Sequence, residues 1–169
     1  MTDRVKNAID VLLDAINNRT LAKGDCTACA VGNLVANGMG YSKEQYNLNV
    51  LEKLDYNYGY KNWSCLFCTD FNVQTIVSKR NRNYILKKYP EIKEQINSTG
   101  FTLDELAQIE KAFETNTKIH FRDYEKCTDS EILKDQIKGL EAVVEVMLSF
   151  DNSKADVKEV FTSKVNVCV

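Results

Sequence analysis

The sequence predicts an all-α, mostly helical fold, and three observations carry that prediction. Residues 3–19 space their apolar side chains at intervals of three and four, the period of a helix with one buried stripe. Two segments of the C-terminal half open on paired capping residues, Thr102 with Glu105 and Thr128 with Glu131. The chain holds one proline, Pro90, and shows no repeat, linker or low-complexity stretch, so residues 1–169 read as a single compact multi-helix domain. At 169 residues, with 44% hydrophobic and 27% charged content, it is long enough to bury roughly 70% of its unfolded surface.

In chain order, Val5, Ile9, Leu12, Leu13 and Ile16 form the apolar stripe of the first helix, and Gly24 closes that region. After Cys26 and Cys29 the run AVGNLVAN is helix-compatible up to Gly38, which places Cys29 at or near a helix N-terminus. Ser42 and Gln45 read as a capping box for a short helix carrying Tyr46, Val50, Leu51 and Leu54. The aromatic-rich stretch 55–64, with Tyr56, Tyr58, Tyr60 and Trp63, reads as irregular or strand-like. Pro90 breaks or kinks a helical region around 83–97. A helix starts at Thr102 and runs to about 114, with Phe101 and Leu106 as its hydrophobic staple and Leu103, Leu106, Ile109, Ala112 and Phe113 as its buried face. The second box leads into Ile132, Ile137, Leu140, Val143, Val144, Met147 and Leu148, a central helix of about five turns. Ser153 with Asp156 marks a last short helix through Phe161, and the tail VNVCV alternates like a strand or a docked end.

Chemistry concentrates in the cysteines. Cys26/Cys29 and Cys65/Cys68 are two Cys-x-x-Cys pairs, and each can aim two sulfurs at one point ~2.3 Å from a zinc ion if the chain makes a tight turn. Gly24, Ala28, Ala30 and Gly32 permit that turn at the first pair, while the second, in WSCLFCTDF, is bulkier and better shielded from water. A structural zinc site on all four thiols is the leading expectation. Structural or redox-idle thiols, and a working dithiol at Cys26 and Cys29 activated by a helix N-terminus, are the alternatives. Against the dithiol, the residues before Cys26 read as helix and not as the strand a thioredoxin-like unit places there. Cys127 and Cys168 are single and read as inert.

Other reacting groups are scarce. The one histidine, His120 in KIHFRDYE, is tied to no serine or cysteine by a recognisable pattern and reads as a surface or partly buried polar residue. No glycine-rich phosphate loop is present. The formal net charge is −2, yet between Lys61 and Lys93 seven basic residues face only Asp70 and Glu91. Within that basic middle, Lys79, Arg80, Arg82, Tyr84, Lys87 and Lys88 have the composition of a site for nucleic acid or an acidic partner, and equally that of a solvated helix face. No apolar run approaches the ~20 residues of a membrane span, and the start of the chain is not that of a signal peptide. The expected compartment is therefore the cytoplasm, where six cysteines point to metal or idle thiols more than to disulfides.

Three blocks, GDCTACAVGNLVA at 24–36, GFTLDELAQIEKAFE at 100–114 and IKGLEAVVEVMLSFD at 137–151, resemble a group of small proteins of Bacteroidetes bacteria and their phages. Members often carry the name of one component of a sodium-translocating NADH-quinone reductase. That name demands a ferredoxin-type cysteine motif and flavin and nicotinamide domains, and this sequence has none of them, so no flavin, NAD or iron–sulfur cluster is expected. The resemblance implies a compact helical protein, located in the host cytoplasm if phage-encoded. The second cysteine pair lies outside the shared blocks. Together these readings favour a small helical interaction protein with a protein partner and a structural zinc site over an enzyme. A thiol redox enzyme using Cys26 and Cys29 and a nucleic-acid-binding module using residues 79–88 are the alternatives.

Overall fold

The computed structural model describes residues 1–25, 28–37, 66–67, 76–152, 155–157 and 159–161, with the side chains of the helix at 76–88 described from Arg82 onward. The helices are α1 (Asp3–Asn17), α2 (Ala30–Asn37), α3 (Ile76–Lys88), α4 (Pro90–Ser98), α5 (Leu103–Asn116) and α6 (Asp129–Phe150), with a 3-10 turn at Phe121–Lys126 before α6. Among the described residues there is no strand, and one isolated parallel bridge joins Lys23 to His120.

Each helix starts and stops where its local chemistry dictates. Thr102 accepts from the Glu105 amide and Glu105 reaches back to the Thr102 amide; Thr128 and Glu131 do the same for α6. Pro90 occupies the first turn of α4, where its missing N–H costs nothing, and α3 ends two residues earlier at Lys88. The apolar stripe of α1 is buried at Val5, Ile9, Leu12 and Ile16, with Leu13 half-buried at its edge. In α5 the buried residues are Leu106, Ala107, Ile109, Glu110 and Phe113, so the core-facing stripe is rotated from the expected one and leaves Leu103 and Ala112 half-buried. At 22 residues α6 has about six turns, because the capped first turn at Asp129–Glu131 precedes the apolar pattern. The expected helix at 42–54, the aromatic stretch 55–64, Ser153 and the tail lie outside the described residues. Val160 and Phe161, expected in the last helix, are buried.

The broadest pairing is α5 against α6; α1 packs on α2 and α6, α2 also on α4 and α5, and α3 on α4. Gly139 makes the α5–α6 approach close, since a Cβ there would lie 2.4 Å from Thr117 Cγ2 and 2.8 Å from Phe113 Cδ2. Leu140, Val143, Val144 and Met147 of α6, with Leu106, Ile109 and Phe113 of α5, are inaccessible to solvent and belong to one hydrophobic cluster with α1 and α2. Burial of such side chains stabilises by about 1.5–3 kcal/mol each.

A clasp at one end ties α1 to both partners. Arg4 donates to Asp151 at 2.7 Å and lies 3.1 Å from Glu105, and its guanidinium sits 4.8 Å from the centre of the Phe101 ring. The Thr2 hydroxyl also donates to Asp151. The hydrogen bond from Thr2, and then the Arg4 guanidinium, hold the Asp151 carboxyl below its usual range. At Glu105 burial pushes the carboxyl up, but hydrogen bonds from Thr102 and Arg4 outweigh it and lower it. At the opposite end of the bundle, buried Gln136 donates to the Leu21 carbonyl and, at 3.1 Å, to the Tyr124 hydroxyl, which burial shifts upward.

Candidate functional site

The described chemistry gathers where the loop after α1 enters α2. Leu21 anchors that loop in the core, the Ala22 amide donates to the Ala28 carbonyl at 2.8 Å, and the amides of Ala28 and Cys29 both donate to the Asp25 carbonyl, at 3.0 and 2.7 Å. Asn33, one turn into α2, points its side-chain amide back at the carbonyls of Thr20, Ala28 and Cys29, at 3.1, 2.8 and 3.0 Å. Asn33 thus ties the start of its own helix, at Ala28 and Cys29, to the loop at Thr20.

Cys29 immediately precedes α2 and is 1% exposed. Its Sγ accepts from the Gly32 amide at 3.3 Å, the geometry of a capping side chain at a helix N-terminus. The neighbouring amide of Val31 donates at 3.3 Å to Oε2 of Glu110, a carboxylate only 6% exposed. The positive end of α2 therefore faces two acceptors, a sulfur and a carboxylate.

One turn along α5, Glu114 Oε1 accepts from the Gly24 amide at 3.0 Å. Lys23 Nζ donates to the Glu114 and Thr117 carbonyls at 2.5 and 2.6 Å, satisfying the open C-terminal end of α5, and its own carbonyl accepts from Phe121 at 3.0 Å. Gly24 has φ +79°, and the His120 ring occupies the place a side chain would take there: a Cβ would lie 2.0 Å from Nε2. That ring is held by the Arg122 amide, which donates to Nδ1 at 3.2 Å, and by Phe121, whose centroid is 4.8 Å away. His120 is thus the partly buried polar residue expected, with its Nδ1 serving as a cap for the 3-10 turn.

Of the four expected zinc ligands, Cys29 stands at this site, and Cys26, Cys65 and Cys68 lie outside the described residues. Leu66 and Phe67, the two residues between the second pair, are inaccessible to solvent and share the hydrophobic cluster of Cys29. Among the described residues no three side chains of His, Cys, Asp or Glu gather in a metal-binding group. Cys127 is free and half-buried.

In the basic segment, the side chains of Lys79 and Arg80 lie outside the described residues. Arg82 pairs with Asp104 at 2.7 Å, Tyr84 is 63% exposed, and Lys87 and Lys88 are exposed in the last turn of α3, where cations complement the helix dipole. Lys88 Nζ also lies 5.3 Å from the Tyr89 ring centre. A groove of about 570 Å³ between α1 and the α4–α5 turn is lined by Asp10, Val11, Asp14, Leu34 and Phe101, with Arg4 at its edge, and contains no thiol or imidazole among these residues.

Sequence reasoning missed Glu110 and the Gly24–His120 contact. Glu110 was findable, since it stands four residues after Leu106 and three before Phe113, on the same helix face. The His120 contact spans 96 positions and has no local signal.

No protein-family model, curated protein or solved structure matches this chain. No described helix is long and apolar enough to cross a membrane.

Proposed function

We propose that the chain is a small helical interaction protein, with a protein partner, in which Cys26, Cys29, Cys65 and Cys68 hold a structural zinc ion. The observation that carries this reading is the state of Cys29: its sulfur lies in the core and accepts a backbone N–H at a helix N-terminus. Such N–H donors stabilise a thiolate, the form that binds metal. Burial to 1% exposure keeps a substrate disulfide away from that sulfur, which favours a ligand over a reacting thiol. A binding role is also favoured by how the described polar groups are used, because His120 caps a backbone turn and Glu110 caps a helix.

Elemental analysis of purified protein tests the zinc site. About one zinc per chain is expected, lost in both Cys26→Ser and Cys65→Ser. Structural zinc supplies about 10–16 kcal/mol in isolated peptides against about 5–15 for a whole domain, so chelation should lower stability severely while the helical core keeps a partly folded state. Protein that is metal-free, fully reduced and folded would end the zinc reading, and turnover of a disulfide substrate would replace it with the dithiol enzyme.

A further inference from the structure

We propose that the groove between α1 and the α4–α5 turn is where the protein partner docks, and that it takes a basic segment of that partner in extended form. The inference rests on the interaction-protein half of the reading above and does not depend on the zinc ion. At about 570 Å³ the groove has the size of a ligand site, roughly 300–1,000 Å³. Its floor is apolar, with Ala8, Leu34 and Phe101 buried and Val11 half-buried. Its wall on α1 is polar. Asn7, Asp10 and Asp14 are exposed there and recur at intervals of three and four, so they share one face of the helix.

The electrostatics of the groove call for a cation. Asp10 and Asp14 stand four residues apart on α1, where like charges repel, and Asp14 lies in the last turn, where the helix dipole disfavours a carboxylate and no basic residue offsets it. The turn from Ser98 to Gly100 brings the negative end of α4 to the same space, again with no basic residue in its last turn. Arg4, the one cation among the described lining residues, is already engaged with Asp151 at 2.7 Å, Glu105 at 3.1 Å and the Gly100 carbonyl at 3.0 Å. Spacing then selects the shape of the occupant. Asp10 and Asp14 are separated by a rise of about 6 Å along the helix, and alternate side chains of an extended chain point to one side about 6.6 Å apart. A stretch with Lys or Arg at two alternate positions therefore sets one cation against each carboxylate, with its aliphatic stems over Val11 and Leu34. The row from Asn7 to Asp14, about 10 Å long, spans three such residues and leaves the Asn7 amide for the partner's backbone.

The test is fluorescence anisotropy of the full chain with the dye-labelled peptide Gly-Gly-Lys-Val-Lys-Gly-Gly, against Gly-Gly-Lys-Lys-Val-Gly-Gly and Gly-Gly-Glu-Val-Glu-Gly-Gly. The alternating lysine peptide should bind best, the adjacent-lysine peptide more weakly, and the glutamate peptide not at all. Asp10→Asn and Asp14→Asn should each weaken the first about 2–5-fold, and the double variant about 4–25-fold. Asp14→Asn should keep its urea midpoint at or above that of the wild type, because it removes a repulsion within α1, so its lost binding is not misfolding. Asp3→Asn, on α1 but outside the groove lining, should leave affinity unchanged. No binding of the alternating lysine peptide, or equal affinity in the wild type and the double variant, would overturn the groove as the docking site while leaving a partner elsewhere on the surface. Spermine bound as tightly as the peptide would give the groove to a small polyamine, and self-association lost in the double variant would give it to a second copy of the chain; either overturns the assignment to a partner protein. The zinc ion is read separately by the elemental analysis above.

Discussion

Replacing Gly24 with alanine isolates two energies that meet at one atom. The backbone term comes from φ +79°, a left-handed conformation that costs an L-residue about 1–2 kcal/mol. The steric term comes from His120, because the new Cβ would lie 2.0, 2.5 and 2.7 Å from Nε2, Cδ2 and Cε1, too close for the ring to stay. Moving the ring gives up the hydrogen bond from Arg122, worth about 0.5–1.5 kcal/mol, and the Phe121 contact, worth about 0.5–1.5 kcal/mol. Gly24→Ala should therefore cost about 3–4 kcal/mol, and His120→Ala alone about 2 kcal/mol. Once the ring is gone only the backbone term remains, so the double variant should cost little more than Gly24→Ala alone. The interaction energy is then about 2 kcal/mol, well above the ~0.5 kcal/mol scatter of independent sites. Urea denaturation of the four proteins in one buffer measures it, and a Tm loss of about 2–4 °C per kcal/mol provides the cross-check. Simple additivity would show that the ring does not lie against Gly24, and a neutral Gly24→Ala would refute the left-handed turn.

Two further outcomes follow from the packing and the clasp. Gly139→Ala should destabilise by about 1–3 kcal/mol by urea midpoint, although alanine is the better helix former by about 1 kcal/mol, because its methyl would overlap Thr117 and Phe113; a stabilised variant would show that α5 and α6 stand further apart. Glu105 and Asp151 have folded pKa values below the ordinary carboxylate range, so their contribution is complete above about pH 5 and is lost as pH falls through the depressed folded values. The cost of Arg4→Ala should accordingly be full at about pH 7 and shrink at pH values below about 4, and a cost that is constant across an acid series would sink the clasp as the source of those shifts.

The local grammar of the fold was legible and its long-range chemistry was not. Thr102–Glu105 and Thr128–Glu131 could be read because a capping box is complete within four residues, and Pro90 because it acts on its own turn. The stripe of α1 emerged for the same reason, since a period needs only neighbours. Placing Cys29 at the start of α2 required nothing more than the helix-compatible run AVGNLVAN that follows it. What holds that cysteine is another matter. The period of α5 puts Glu110 on its buried face, but the partner of its carboxylate, the Val31 amide, lies 79 positions upstream. Arg4 likewise gains its role only when α1 lies across the start of α5 and the end of α6. Such contacts are products of tertiary packing, which sequence periodicity does not encode.

The Arg4 clasp has a practical side as well. Thr2 and Asp151, 149 positions apart along the chain, are hydrogen-bonded partners in the fold. Once unfolded, a chain of this length swells to a radius of about 40 Å. Met1, 40% exposed, and Ser149, also exposed, flank the contact without forming it. A donor and acceptor dye at those two positions would sit within transfer range in the native protein and separate widely on denaturation, making this end of the molecule an optical gauge of the whole bundle.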